Sequence, residues 1–149
     1  MTIIALSGRA MAADSVSWTG GMHEPCTVPK ILRTRYGTLV GASGAVSDIC
    51  RVFEWFDNYK DRGAFPVGRG EGDNELDFLM LRPDGSAWRG NRYGDLVPRG
   101  DKLSVIGVAV AADFVYGLMT AGVGLREAVA MAIERCGYLG GEVQYEELA

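Results

Sequence analysis

An α+β fold, with mostly antiparallel sheets and helices on their outer faces, is predicted by three features of this 149-residue sequence. Short β-branched and apolar runs follow one another across tight turns, as they do in hairpins. Three stretches instead carry apolar residues at helical spacing. Glycine is unusually frequent, at 21 residues, as expected where many short strands are joined by turns.

The elements follow in order. Thr2–Leu6 (TIIAL) and Ala10–Ser15 flank the turn Ser7-Gly8-Arg9 and predict an opening hairpin. Lys30–Thr34 and Thr38–Ser43, split by Tyr36-Gly37, predict a second strand pair. Ile49, Val52, Phe53 and Phe56 recur at helical spacing through Ser47–Tyr59, with Asp48, Arg51, Glu54 and Asp57 expected on the solvent side. Residues 61–75 are rich in glycine and charge and predict a flexible loop. Phe78–Leu81 and Ser86–Arg89 flank Pro83-Asp84-Gly85 as another hairpin, and Leu103–Val110 predicts a buried strand. Asp113–Thr120 and Leu125–Arg135 predict two helices, the first stopped by Gly122 and Gly124, the second by Gly137. Glu142–Leu148 predicts a last strand, and with no repeat or linker the whole of 1–149 is expected to be one domain.

Composition narrows the function classes. Hydrophobic residues make up 48% and charged residues 23%, which is ordinary for a globular protein in water. A net charge of −4 leaves no basic footprint for nucleic acid. No apolar run is long enough to span a bilayer, so no membrane partner is expected. The N-terminus lacks a basic leader followed by a continuous apolar stretch, and Cys26, Cys50 and Cys136 form no C-x-x-C pair. A cytoplasmic protein with reduced thiols is the expectation.

The chemistry concentrates at the start of the chain. Thr2 follows the initiator methionine, and a hairpin then ends in Ala12-Ala13-Asp14-Ser15. Pro29-Lys30-Ile31-Leu32 comes next, then Gly41-Ala42-Ser43-Gly44 ahead of a helix that carries Asp48. Further on come Val105-Ile106-Gly107, Ala112-Asp113-Phe114 and the close Arg135 to Gly140-Gly141. In this order and spacing the sequence resembles proteasome β-type subunits and the bacterial HslV peptidase, over nearly its whole length. The resemblance implies the four-layer αββα sandwich of N-terminal-nucleophile (Ntn) hydrolases, two antiparallel sheets face to face with helices outside. It implies four site residues: Thr2, Asp14, Lys30 and Gly44.

Those residue types suit the chemistry. A threonine hydroxyl is a poor nucleophile until a base takes its proton, and the α-amine of a first-position Thr, with an ordinary pKa of about 8, can do so. This requires removal of Met1. Lys30 would supply positive charge beside the amine or hydroxyl, and Asp14 would orient Lys30. The Gly44 N–H would donate to the developing oxyanion, a role worth roughly 2.7–4 kcal/mol in other enzymes. The resemblance further implies a homo-oligomer, a ring, acting on peptide or unfolded protein, with an unfoldase as a possible partner. No cofactor or metal is implied.

The sequence also departs from the family pattern. The family's serine in a Gly-Ser-Gly element falls on Val108 or Val110, and its later Asp and Ser fall on Cys136 and Leu139. Valine and leucine can neither relay a proton nor hold the amine. Two readings therefore stand, a threonine peptidase subunit and a catalytically silent scaffold or assembly subunit, with a small-amide Ntn amidase as a weaker third. His23 and Cys26 are too few for a metal site, and Gly68–Asp73 lacks the Lys-Ser/Thr ending of a phosphate loop. Trp18, Trp55 and Trp88 read as core or subunit contacts. Trp55 lies roughly 100° from Phe56 around the helix and is expected to be exposed at an oligomer contact.

Overall fold

The first strand shows how the layers are set. In the computed structural model, which describes residues 1–18, 25–58 and 63–149, β1 (Ile3–Ser7) is buried on both faces. Ile3 and Ala5 face one core while Ile4 and Leu6 face another, the period of two that a strand imposes on its side chains. β2 (Ala10–Ala13) divides the same way, Ala10 and Ala12 to the first core, Met11 and Ala13 to the second. A strand covered on both sides belongs in the middle of a stack.

The stack has four layers. β3 (Val16–Trp18) and β4 (Pro25–Thr27) form a two-stranded ribbon; β5 (Ile31–Arg33) and β6 (Leu39–Ser43) follow, then α1 (Val46–Asp57). After them come β7 (Asp77–Leu81), β8 (Ala87–Gly90), β9 (Leu96–Pro98), β10 (Leu103–Gly107), α2 (Ala109–Thr120), α3 (Leu125–Arg135) and β11 (Gln144–Glu147). One sheet runs β10-β1-β2-β11 and the other β5-β6-β7-β8-β9, antiparallel throughout. Helices α2 and α3 cover the first sheet through Val115, Met119, Ala128, Val129 and Ala132. Ile4, Leu6, Met11, Leu39, Leu79 and Leu81 fill the space between the sheets, and Val52 and Phe56 of α1 cap the second sheet over Val40, Phe78 and Met80. Each such aliphatic side chain contributes about 1.5–3 kcal/mol when fully buried. The αββα sandwich expected from the sequence is the fold.

The sheets come close together at Gly41, where a Cβ would lie 2.7 Å from Ile4 and 2.8 Å from the Met11 sulfur. Only a residue without a side chain fits there.

Four expectations need correction. The strand at Leu103 ends at Gly107, and α2 starts at Ala109 instead of Asp113, because the apolar run to residue 112 turns from strand to helix with no polar residue to mark the change. Asp48 is buried, not solvent-facing, and accepts N–H bonds from Arg69 and Gly70, both at 2.9 Å. That ties down the described part of the loop expected to be flexible, and the Gly68 N–H adds a bond to the Arg92 carbonyl (2.8 Å). Trp55 is half-buried, edge-on to Phe56 and Phe65 with ring centroids 5.0 and 5.2 Å away, so it packs within its own chain. The ribbon β3–β4 and strand β9 were not anticipated. Tyr59, His23, residues 61 and 62, and the side chains of Trp18 and Cys26 lie outside the described residues.

Candidate active site

Antiparallel pairing brings five strand ends to one end of the sandwich. Thr2 precedes β1, Asp14 follows β2, Lys30 precedes β5, Gly44 follows β6 and Val108 follows β10. Ile3 pairs with Gly107, Ile4 with Ala13, and Ile31 with Gly41, which fixes these ends relative to one another.

Asp14 is fully buried. Its Oδ1 accepts from the Ile3 N–H (3.0 Å) and from Lys30 Nζ (2.8 Å), so one carboxylate oxygen ties the residue after Thr2 to the lysine. Lys30 is 3% exposed and donates twice more, to the Val16 carbonyl (2.7 Å) and the Met1 carbonyl (3.1 Å). All three ammonium protons are thereby engaged. Burial pulls the Lys30 pKa below its ordinary value, and Asp14 opposes that pull by charge and hydrogen bonding. The amino group of Met1 is also held below its ordinary value, first by burial, then by the charge of Lys30, with Asp14 acting in the opposite direction. Asp14 Oδ2 is buried with no hydrogen-bond partner among the described residues.

The backbone at Thr2 is held from the other side by β10. The Val108 N–H donates to the Thr2 carbonyl (3.0 Å). Gly107, at φ +120°, makes this approach possible, since a Cβ there would sit 2.0 Å from the Thr2 oxygen.

Gly44 has φ +134° and lies against the backbone of Asn74–Leu76, with a Cβ position 3.0 Å from the Leu76 Cα. The Ala45 N–H bonds to the Asn74 carbonyl (3.1 Å), so the 74–76 segment backs the turn into α1. Asp48 secures the same region one turn along. Burial alone would raise its pKa, but N–H bonds from Gly70 and Arg69 and the Arg51 guanidinium outweigh it and hold the carboxyl low.

Thr2, Asp14 and Lys30 are thus brought together, and Gly44 ends a strand at the same end of the sandwich. Of the positions expected to carry the family's polar groups, Val108 touches Thr2 through its backbone, whereas Val110 is 72% exposed on α2. Leu139 is buried in the apolar core beneath α2 and α3. Gln144 was missed by the sequence reading. Its Oε1 accepts from the Lys30 N–H (2.8 Å) and its Nε2 donates to the Val28 carbonyl. A glutamine on an edge strand carries no pattern that would single it out. A cavity of about 670 Å³ lined by Trp55, Phe65, Phe78, Tyr36 and Arg82 lies toward the β5–β6 turn, at the opposite end of β6 from Gly44.

No protein-family model matches this chain, and no curated protein does. Solved structures do. Eukaryotic HslV from Trypanosoma brucei superposes with a TM-score of 0.69 at 16% identity, over 98% of each chain. Thiobacillus denitrificans BPH, solved in complex with epoxomicin, superposes with a TM-score of 0.70 at 16% identity, over 100% of each chain. The chain shares their fold.

Proposed function

We propose that this chain is an N-terminal threonine peptidase subunit that becomes active once Met1 is removed. The observation that carries the reading is the buried Asp14–Lys30 pair, whose lysine donates to the carbonyl of the residue directly before Thr2. Loss of Met1 takes away that carbonyl, frees the third Lys30 N–H and leaves a new α-amine next to a cation.

In that state the Thr2 amine accepts the proton of the Thr2 hydroxyl as the oxygen attacks a peptide carbonyl. The Gly44 N–H donates to the oxyanion, and the protonated amine passes its proton to the leaving amine. Water, deprotonated by the same amine, then hydrolyses the Thr2 ester. Lys30 keeps positive charge beside the amine, and Asp14 keeps Lys30 in place. The fold shared with HslV and BPH supports this reading, as does the complex of BPH with epoxomicin. Under the same proposal the chain assembles as a homo-oligomeric ring on peptide or unfolded protein, with an unfoldase as a possible partner.

The test has two parts. Intact mass should show the chain without Met1, and epoxomicin should then label the wild type but not Thr2→Ala. A processed wild type that neither cleaves peptides nor takes up epoxomicin would overturn the reading.

A second reading is favoured by one observation. Val108 or Val110, and Leu139, put apolar side chains where the resemblance calls for hydroxyls, which suits a scaffold subunit that keeps the fold without turnover. Retained Met1 together with assembly would select it. A small-amide amidase is the third reading, and it would show as turnover of small amides but not of peptides.

A further inference from the structure

We infer that Gln144 is a positioning residue for Lys30, holding the lysine backbone so that its ammonium meets Asp14 beside the start of the chain. The inference deepens the peptidase reading and rests on it for its kinetic part.

The segment Val28–Lys30 joins β4 to β5 outside either strand, and Pro29 in its middle has no N–H to offer. Its backbone is nonetheless fixed. The Val28 N–H donates to the Ser15 carbonyl (2.9 Å), and the Ala42 N–H approaches the Lys30 carbonyl (3.4 Å). The Val28 carbonyl and the Lys30 N–H go to the two ends of one side-chain amide, that of Gln144. These are the groups, one residue either side of Pro29, that a neighbouring parallel strand would engage. Gln144 stands in for that strand.

Its own placement gives this consequence. Gln144 pairs with Ala13 across β2–β11, so its backbone is registered on the residue just before Asp14 while its side chain holds the residue carrying the ammonium. One residue therefore sets the spacing between the two strand ends that form the ion pair. Lys30 reaches Asp14 through four methylenes, and a shift at its Cα moves the ammonium away from three acceptors together. A positioning error of about 1 Å in a catalytic constellation costs on the order of 10²-fold in rate.

Gln144→Met, of similar length but without hydrogen bonding, provides the test. The chain has three lysines, so the Lys30 ε-carbon signal can be followed by NMR through a pH titration. The charged groups that act on it are Asp14 and the chain's amino group. In the variant water reaches a loosened ammonium, and the Lys30 titration should move up toward the ordinary lysine range. Peptide kcat should fall about tenfold or more while KM changes less than about twofold. Val129→Ala, which weakens the distant α3 core, should lower thermal stability and leave the Lys30 titration in place. If Gln144→Met does not fold, Gln144→Glu, which keeps the acceptor for Lys30 but loses the donor to Val28, carries the kcat readout alone, since its own charge raises the Lys30 titration. A folded variant with unchanged Lys30 titration and unchanged kcat overturns the inference. A wild type without turnover or epoxomicin uptake overturns the peptidase reading instead, and the NMR titration still decides the role of Gln144.

Discussion

Lys30 Nζ lies 2.8 Å from Asp14 Oδ1 with both side chains out of solvent. Removing one member of a buried pair leaves an uncompensated charge, which costs about 3–5 kcal/mol, more than the pair itself contributes to stability. Asp14→Asn and Lys30→Met should each lower the stability measured by urea unfolding by that amount. The double variant should lose clearly less than the sum. Additive losses would mean that the two groups do not act as a pair.

Under the peptidase reading, activity should have a pH window set by two amines, those of Thr2 and Lys30. The Thr2 amine must be neutral to accept a proton, so the rate should rise as pH passes its pKa. Burial and then Lys30 hold the Met1 amino group below 8.0, and the Thr2 amine left once Met1 is lost should feel the same burial and the same cation, so that limb should fall below the ordinary amine value. Lys30 must stay charged, so the rate should fall as pH passes its pKa, which burial holds below 10.5. A kcat/KM profile whose upper limb stands at or above 10.5 would contradict the role given to Lys30.

What could be read from the sequence divides along physical lines. The strand–turn–strand units at Ser7-Gly8-Arg9 and Pro83-Asp84-Gly85 were legible because turn residues interrupt short apolar runs. Helix α3 was legible because Leu125, Ala128, Val129 and Ala132 recur at 3-and-4 spacing. The start of α2 was not, since Val108–Ala112 is apolar on every side and suits strand and helix equally. Thr2, Asp14 and Lys30 could be named from their order along the chain. Asp48 and Gln144 could not, because their partners are backbone groups far away in sequence, which side-chain pattern does not encode.

Asp48 makes acid a probe of the loop behind Gly44. Its carboxyl is held below its ordinary value in the folded chain, so its contribution is present above the unfolded pKa of about 3.9 and is lost as pH falls through the folded value. Amide exchange at Arg69 and Gly70 should accelerate as pH drops through that range, after correction for intrinsic rates. Asp48→Asn should speed exchange at the same two amides at neutral pH and, under the peptidase reading, lower kcat. Protection unchanged in Asp48→Asn would remove Asp48 from this role.

Trp55 separates stability from assembly. Its ring packs on Phe56 and Phe65, and its indole N–H donates to the Gly63 carbonyl (3.2 Å). Trp55→Ala should therefore cost about 2–3 kcal/mol by calorimetry while leaving the molar mass by light scattering unchanged. Dissociation of an oligomer without loss of stability would restore Trp55 to a subunit contact.

Restoring polar groups near Thr2 tests whether the apolar replacements limit the rate. The choice of position follows from the structure: Val108 hydrogen-bonds the Thr2 carbonyl through its backbone, whereas Val110 is exposed on α2. Val108 is partly buried, so serine there places a hydroxyl near Thr2 without opening a large void. A positioned proton-transfer partner is worth about 10²–10⁴-fold, and recovery of even a tenth of the lower figure would be measurable. Leu139→Ser is different, because Leu139 belongs to the buried core that includes Ile3, Val115 and Val129, and its loss should cost about 2–5 kcal/mol whatever it does for the rate. Val108→Ser, tested on chain lacking Met1, should therefore raise kcat at little cost in stability, and adding Leu139→Ser should lower stability sharply. If Val108→Ser folds, assembles and stays as inert as Thr2→Ala, the scaffold reading replaces the peptidase.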